Sequence, residues 1–300
     1  MSDFFHSSLY QLLSAGYGET TARDIARGFS MPRCVTMRVN TLKSNVEYVK
    51  SRLDEVGIGY IGVPWYGDAL VMPKAREDDI RALDIYADGK IYLQNLSSMI
   101  PPLLLEAGEG DCVLDMTAAP GGKCAQIAAL TANKAQLTAC EKDKIRTERL
   151  KYNIARQGVR AYVMNADATK LSDMFSFDKI LLDAPCSGSG TVRISDRGVS
   201  GAFSDKLLRN SVRLQKALLT KALTLLKRGG RLVYSTCSVL ADENCGVLSA
   251  VLPRFDAEAV PVPKDRFKGV PLLPTEIDGA ITVCPDGLYE GFFAAVIVKR

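Results

Sequence analysis

The sequence predicts an α/β fold, with a doubly wound, mostly parallel sheet preceded by a small α+β module. Two observations lead to this prediction. From Asp111 to Val251, short apolar segments alternate with longer amphipathic ones, the order typical of parallel strands joined by crossover helices. Before that region, the chain has a shorter β-α-β-β pattern. We therefore predict a helical segment over 1–30, the module over 31–90 and the main domain over 91–300.

The amino-terminal elements follow from the spacing of apolar residues. Phe5, Leu9 and Leu12 recur at helical spacing and predict helices over about 3–29. The module begins with the strand-like segment CVTMRVN, which starts at Cys34. Its other predicted elements are an amphipathic helix over 45–56 and strands near 60–63 and 69–72.

Six strands are predicted in the main domain, with helices between them. In chain order the strands are CVLDM, QLTACE, AYVMNAD, KILLDA, RLVYSTC and FFAAVIVKR. The helices include one over about 123–131, one that runs through Arg149 and Ile154, and a long one from about Asp205 to Leu226. In such sheets ligands bind beyond the carboxyl ends of the strands, near the point where the strand order reverses.

Composition and charge exclude several classes of protein. The chain has 38 basic and 34 acidic residues, and this net charge of +4 permits a polyanionic partner without requiring one. Apolar runs are too short for a membrane helix, and Met1 to Gly18 does not resemble a signal peptide, so the protein is expected to be cytoplasmic. The eight cysteines include no C-x-x-C pair, so neither a metal site nor a disulfide framework is predicted.

A loop of small residues follows the first strand of the main domain and leads into a helix. It consists of Thr117, Ala118, Ala119, Pro120, Gly121, Gly122 and Lys123. The free amides of a helix start suit a ligand such as a nucleotide-like cofactor. The loop lacks the G-x-G-x-x-G pattern, and a tight strand-to-helix turn explains it equally well.

Carboxylates follow the next two strands. Glu141 ends the second strand, where this fold commonly places an acceptor for both ribose hydroxyls. Asp167 ends the third strand and is suited to accept from an adenine amino group. For either residue taken alone, an ordinary surface carboxylate is the preferred explanation. Together with the loop they predict an adenosine site that has no binding position for a second phosphate.

Two cysteines end the fourth and fifth strands. LLDAPCSGSG places Asp183 at the strand end and Cys186 on the loop after it, and LVYSTCS places Cys237 at the end of the next strand. If these strands are neighbours, two thiols and a carboxylate meet in one cleft. The alternative for either thiol is a buried, unreactive cysteine. The single histidine, His6, lies far away in sequence, so a histidine base is not expected.

The motifs DMTAAPGGK, DAPCSGSGT and YSTCS, with Glu243 and Asn244 downstream, resemble the signatures of the Sun (Fmu-type) family of RNA cytosine-5 methyltransferases. The resemblance extends over about residues 33–300, through RVNTLK, through Gln94 with Ser97 and Ser98, and through the closing GFFAAVIVKR. Thr117 stands where the family usually has cysteine, and Glu141 where aspartate is more frequent.

The resemblance implies a Rossmann-like methyltransferase domain that binds S-adenosylmethionine with the 117–123 loop, Glu141, Asp167 and Asp183. It implies that Cys237 attacks carbon 6 of the cytosine and that Cys186 assists its release. Asp183 would contact the pyrimidine edge, and Lys123 would neutralise charge or hold the base.

The implied partner is ribosomal or transfer RNA, bound by a monomer whose amino-terminal module contacts the RNA. Basic residues of the module and of the 193–197 region are candidate phosphate contacts or solvated surface: Arg33, Arg38, Lys43, Arg193 and Arg197. A cysteine-dependent hydrolase would need a base that the sequence does not supply. A non-catalytic RNA-binding or assembly factor is the remaining alternative.

Overall fold

In a computed structural model, residues 2–195, 198–201 and 203–300 of the 300-residue chain are described. Arg197, one of the predicted phosphate contacts, lies outside them. Within the described part of the chain, no helix is long and apolar enough to cross a membrane.

Three helices form the amino terminus. They are α1 (Ser2–Phe5), α2 (Ser8–Tyr17) and α3 (Glu19–Ser30). Ser7 caps α2, because its side chain accepts a hydrogen bond from the Tyr10 amide. The apolar faces of these helices bury Leu13 and Ile25 in a cluster shared with Val239. The helices therefore pack against the main domain.

The module is a four-stranded antiparallel sheet with helices. Its elements are β1 (Val35–Val39), α4 (Val46–Glu55), β2 (Ile61–Val63), β3 (Tyr66–Met72), α5 (Glu77–Arg81), α6 (Asp84–Ala87) and β4 (Ile91–Leu93). The strand order is β2-β3-β1-β4, and Val39 of β1 pairs with Ile91 of β4. Strand β4 begins directly after the predicted boundary at residue 90, and its three residues carry too little pattern to be recognised from sequence.

The remaining elements build the main domain and one small hairpin. They are α7 (Leu96–Leu105), β5 (Cys112–Asp115), α8 (Gly122–Leu130), β6 (Gln136–Glu141), α9 (Lys144–Arg156), β7 (Tyr162–Asn165), β8 (Phe177–Asp183), β9 (Arg193–Ser195), β10 (Gly198–Ser200), α10 (Asp205–Leu225), β11 (Leu226–Thr236), α11 (Cys245–Val251), β12 (Ala257–Val260), β13 (Leu272–Leu273), β14 (Ala280–Val283) and β15 (Phe292–Lys299). Strands β9 and β10 pair only with each other.

The large sheet has the order β13-β14-β15-β11-β8-β5-β6-β7, with β12 beside β15. Strands β7, β6, β5, β8 and β11 are parallel, and β15 runs antiparallel to β11. Chain order reverses between β5 and β8, which confirms the predicted doubly wound sheet. A ligand crevice is expected at the carboxyl end of these two strands.

Both faces of the sheet are buried. Alternate residues of β5 enter different clusters, because successive side chains of a strand point to opposite faces. Val113 packs in the cluster that contains Ile127 of α8, whereas Leu114 packs in the cluster that contains Leu219 of α10. This two-sided packing holds the carboxyl ends of the parallel strands in fixed register.

Candidate active site

Two cavities open at the carboxyl edge of the parallel strands. One has a volume of about 270 Å³, and Asp115, Lys123, Asp183 and Glu290 are among the residues of its wall. The other has a volume of about 430 Å³ and is bordered by Glu141, Asp167 and Pro185 among others. Thr117 lines both cavities, so the predicted cofactor loop runs between them.

Close packing fixes the loop at residues 117–123. Gly121 has a φ of +111° and precedes α8, and a Cβ at Gly122 would lie 2.8 Å from a ring carbon of Tyr92. Neither position accepts a larger residue without rearrangement. The Thr117 hydroxyl donates to the backbone oxygen of Asp183 at 2.8 Å, which ties the loop to the end of β8. Thr117 therefore has a structural role, because its hydroxyl holds the loop against the end of β8.

Glu141 is buried at the end of β6, with its carboxylate on the larger cavity. One oxygen accepts from the Asp143 amide at 2.9 Å, and the other lies 3.3 Å from the Arg146 guanidinium. Arg146 also donates to the backbone oxygen of Ala119 in the loop. These bonds orient Glu141, and each carboxylate oxygen keeps acceptor capacity for a ligand.

Asp167 lies two residues beyond the end of β7 and borders the same cavity. Its Oδ1 accepts from the amide and the hydroxyl of Thr169, and its Oδ2 lies 3.0 Å from Lys142 Nζ. The hydrogen bonds from Thr169 and Lys142 lower the pKa of Asp167. The carboxylate is therefore charged and held on the same side of the loop as Glu141.

The structure brings the two predicted thiols together. Strands β8 and β11 are neighbours, with Asp183 opposite Ser235, and the sulfurs of Cys186 and Cys237 are 3.1 Å apart. The hydrogen bond with Cys237 and burial raise the pKa of the Cys186 thiol. The surroundings of Cys186 therefore disfavour the charged form of its thiol.

Glu243 and Asn244 hold the two thiol-bearing loops. The buried Glu243 carboxylate accepts from the Ser187 amide at 2.7 Å, from the Ser187 hydroxyl at 2.5 Å and from Gln215 at 3.1 Å. Asn244 accepts from the Thr236 hydroxyl at 2.6 Å and donates to the backbone oxygen of Ser238 at 3.0 Å. Residues on both sides of Cys237, and the residue after Cys186, are thereby fixed. The sequence singled out Glu243 and Asn244 only by resemblance and did not predict this task.

Lys123 and Asp183 form an ion pair beside the thiols. Lys123 Nζ lies 2.7 Å from Asp183 Oδ2, and the Ser235 hydroxyl donates to Asp183 Oδ1 at 2.7 Å. Burial acts to lower the pKa of Lys123, but Asp183 and the nearby Cys237 outweigh it, so the pKa is raised. A lasting positive charge therefore stands next to Cys237.

Asp115 is a feature of the site to which the sequence assigned no role. It is 1% exposed, and no described group makes a hydrogen bond of ordinary geometry to either of its oxygens. Burial and the negative charge of Asp183 raise its pKa to about 7, against the opposing effect of Lys123. An unpartnered buried carboxyl on a cavity wall calls for a ligand or a proton.

Arg38 is not a phosphate contact, contrary to prediction. It is fully buried on β1, and its guanidinium donates to the side-chain oxygens of Gln94 and Gln157. Gln157 follows α9, so Arg38 joins the module to the main domain. The prediction failed because sequence shows a charge without showing which face of the strand becomes covered.

The other predicted phosphate contacts differ in their surroundings. Arg33 is half-buried, and its guanidinium is paired with Glu290 and donates to the backbone oxygen of Val192, so protein groups already hold it. Lys43 is exposed, but its ammonium donates to the backbone oxygens of two other residues. Arg193 is exposed, and its charge acts on Glu290 at the smaller cavity. Arg193 is thus an exposed candidate that lies within electrostatic range of the wall of this cavity.

Comparison with known proteins finds related methyltransferases. The family model described as 16S rRNA methyltransferase RsmB/F matches residues 102–298. The ribosomal RNA small subunit methyltransferase F of Shewanella sp. (strain ANA-3) is 34% identical over 284 residues, which are 92% of this chain and 58% of that protein. The chain thus spans little more than half the length of this relative.

Solved structures show the same fold. A methyltransferase homolog protein from Pyrococcus horikoshii is 35% identical, with a TM-score of 0.82 over 94% of this chain and 92% of that one. The structure of NSun6 from the same organism, determined with SFG, has a TM-score of 0.86 over 98% of both chains at 23% identity, which shows the fold alone. From the extent of the family match and the level of identity, the chain belongs to the RsmB/F family of 16S rRNA methyltransferases, the Sun (Fmu-type) family that its motifs resemble.

Proposed function

We propose that this protein transfers a methyl group from S-adenosylmethionine to carbon 5 of a cytosine in RNA. The observation that carries the proposal is the thiol pair, Cys186 and Cys237, 3.1 Å apart at the ends of adjacent strands. The ion pair of Lys123 and Asp183 stands beside it. A buried structural cysteine needs neither a second thiol nor a flanking ion pair.

The two cavities fit S-adenosylmethionine. In the larger one, Glu141 would accept from the ribose hydroxyls and Asp167 from the adenine amino group. The smaller one is walled by Asp115 and Asp183, whose carboxyls suit the ammonium and the sulfonium of the cofactor. The amides of the 117–123 loop lie between them. When bound, the cofactor supplies an electrophilic methyl group.

The chemistry explains why two thiols are needed. Carbon 5 of cytosine is a poor nucleophile, and addition of a thiolate to carbon 6 converts the ring into an enamine that reacts at carbon 5. After methylation, a base takes the carbon 5 proton, and the electron pair of that C–H bond expels the sulfur from carbon 6 as a thiolate. We assign the attack to Cys237, which is next to the Lys123 ammonium, and the assistance of release to Cys186.

Lys123 and Asp183 complete the site. Lys123 carries a positive charge that interacts electrostatically with Cys237, the sulfur assigned to the attack. Asp183, oriented by Lys123 and Ser235, contacts the pyrimidine edge as charge develops on the ring. Hydrogen bonds thus fix the positions of both side chains, Lys123 and Asp183.

The substrate is ribosomal or transfer RNA, and the name of the Shewanella relative favours ribosomal RNA. The target base reaches the crevice only when it is unpaired or flipped out. Arg193, which is exposed and acts electrostatically on Glu290 of the smaller cavity, supports contact with the phosphate backbone, and the amino-terminal module is proposed as a second RNA-contacting surface. The protein is proposed to act as a monomer.

Two alternatives are weaker. A cysteine hydrolase needs a base, and His6 is exposed and lines neither of the two cavities. A non-catalytic RNA-binding factor has no need for a thiol pair whose flanking loops are held by Glu243 and Asn244.

The direct test has two stages. Calorimetry with S-adenosylmethionine should show binding to one site, and tritium from labelled cofactor should enter RNA that lacks 5-methylcytosine. Cys237→Ala should bind the cofactor and transfer nothing. Cofactor binding without transfer to any RNA, with the parent protein, would favour the assembly factor instead. Bisulfite sequencing of RNA from a deletion strain would then identify the modified cytosine.

A further inference from the structure

We propose that Cys186 and Cys237 form an oxidation-sensitive pair that closes to an intramolecular disulfide with a hydroperoxide and is reopened by a dithiol. Their sulfurs are 3.1 Å apart, whereas a disulfide bond is about 2.05 Å long, so the sulfurs need to approach by about 1 Å. Among the described residues, the other six cysteines make no sulfur–sulfur contact.

The backbone around the pair keeps the two thiols together. The Ala184 amide donates to the backbone oxygen of Ser235 at 2.8 Å, and the Gly190 amide donates to the backbone oxygen of Cys237 at 3.0 Å. On both sides of Cys186 the loop is therefore hydrogen-bonded, to β11 on one side and to the residue directly after β11 on the other. A disulfide forms readily only where the backbone already holds both residues at the right separation.

Gly190 also allows the segment before β15 to approach the loop closely. A Cβ at Gly190 would lie 2.0 Å from the backbone oxygen of Gly291, and the Gly291 amide donates to the Gly190 oxygen at 2.9 Å. The loop is thus fixed from two sides, by β11 and by the segment before β15. The short sulfur–sulfur distance follows from backbone constraints and not from a mobile loop.

The pair also has the reactivity that oxidation requires. Both thiols are half-buried, whereas Cys124, Cys140 and Cys245 are buried. The thiolate is the form that attacks peroxides, and the Lys123 ammonium interacts electrostatically with Cys237.

The oxidation proceeds in two steps. The Cys237 thiolate attacks the peroxide oxygen, breaks the O–O bond and becomes a sulfenic acid, and one water is released. The Cys186 sulfur then attacks that sulfur, forms the S–S bond and releases a second water. Overall, two thiols lose two hydrogens and one hydrogen peroxide becomes two waters. A dithiol reverses this by thiol–disulfide exchange.

The disulfide removes both thiols from RNA chemistry, so methyl transfer stops until it is reduced. This loss of activity rests on the proposed function, but the formation of the disulfide does not. The two are measured separately, by mass and by activity, so failure of one is distinguishable from failure of the other.

The test exposes the full chain to hydrogen peroxide, blocks the remaining thiols with iodoacetamide under denaturing conditions, and maps the peptides by mass spectrometry. We expect one linked peptide pair that contains Cys186 and Cys237, a loss of two hydrogens from the intact mass, and six alkylated cysteines. Dithiothreitol should restore eight alkylated cysteines and full methyl transfer.

Matched variants separate this pair from general oxidation. Cys186→Ser and Cys237→Ser should each abolish the linked peptides, while Cys112→Ser, which changes a half-buried cysteine at the other end of β5, should keep them. Circular dichroism checks that each variant is folded. A linkage to any other cysteine, or oxidation of Cys237 to sulfinic acid while Cys186 stays free, would overturn the proposal.

Discussion

Replacing Asp115 with asparagine should change how the stability of the protein depends on pH. In the folded protein its pKa is raised from 3.8 to about 7, chiefly by burial. In the unfolded chain the carboxyl regains its ordinary value. Between these two values, the folded state therefore binds a proton that the unfolded state does not.

The sign follows from linkage. Because the folded pKa is the higher one, the contribution of Asp115 to stability is complete below about pH 4 and is lost as the pH rises through about 7. A difference of about three pKa units corresponds to about 4 kcal/mol at 1.36 kcal/mol per unit. Asparagine cannot ionise, so the Asp115→Asn variant does not lose this stability as the pH rises.

Urea unfolding of the cofactor-free protein, followed from about pH 4 to about pH 8, measures the effect. The unfolding free energy of Asp115→Asn, minus that of the parent, should rise by about 4 kcal/mol over this range. Asp278→Asn, which changes an exposed aspartate, serves as the control and should run parallel to the parent. If the Asp115→Asn curve is also parallel, Asp115 is ionised at all these pH values and its proposed burial energetics are wrong.

Three further changes test other parts of the site. Glu141→Ala should weaken S-adenosylmethionine binding by about 1–3 kcal/mol in calorimetry, because a buried ribose contact is lost; unchanged affinity would remove Glu141 from the cofactor site. Glu243→Ala leaves the Ser187 amide and Gln215 without their acceptor and should lower the unfolding free energy by about 3 kcal/mol, and equal stability would show that it does not hold the loop. Arg193→Glu should reduce the slope of log K against log salt for RNA binding by about one or more, whereas Arg228→Glu, at the far end of β11, should not; equal slopes would exclude Arg193 as a phosphate contact.

The sequence predicted the main sheet well because its strands are apolar runs separated by long amphipathic helices. The neighbouring positions of β8 and β11, and with them the meeting of Cys186 and Cys237, followed from chain order alone. The helix α7 was missed, since it contains Pro101 and Pro102, which are typical helix breakers.

The supporting contacts of the site were beyond prediction from sequence. The burial of Arg38 depends on which face of β1 meets the main domain, and the acceptor role of Glu243 depends on a loop distant in sequence. The raised pKa of Asp115 depends on its burial and on the nearby negative charge of Asp183, which no local pattern shows. Sequence thus indicates the groups that carry chemistry, whereas their environment emerges only from packing.

The most direct measurement of the central claim is the trapping of RNA on the protein with each thiol removed in turn. Incubated with RNA and S-adenosylmethionine, Cys186→Ala should form an adduct that survives a denaturing gel, because attack and methylation occur but release stalls. Cys237→Ala should form no adduct and transfer no methyl group. An adduct with Cys237→Ala and none with Cys186→Ala would reverse the two assignments, and full activity of both variants without any adduct would contradict covalent catalysis.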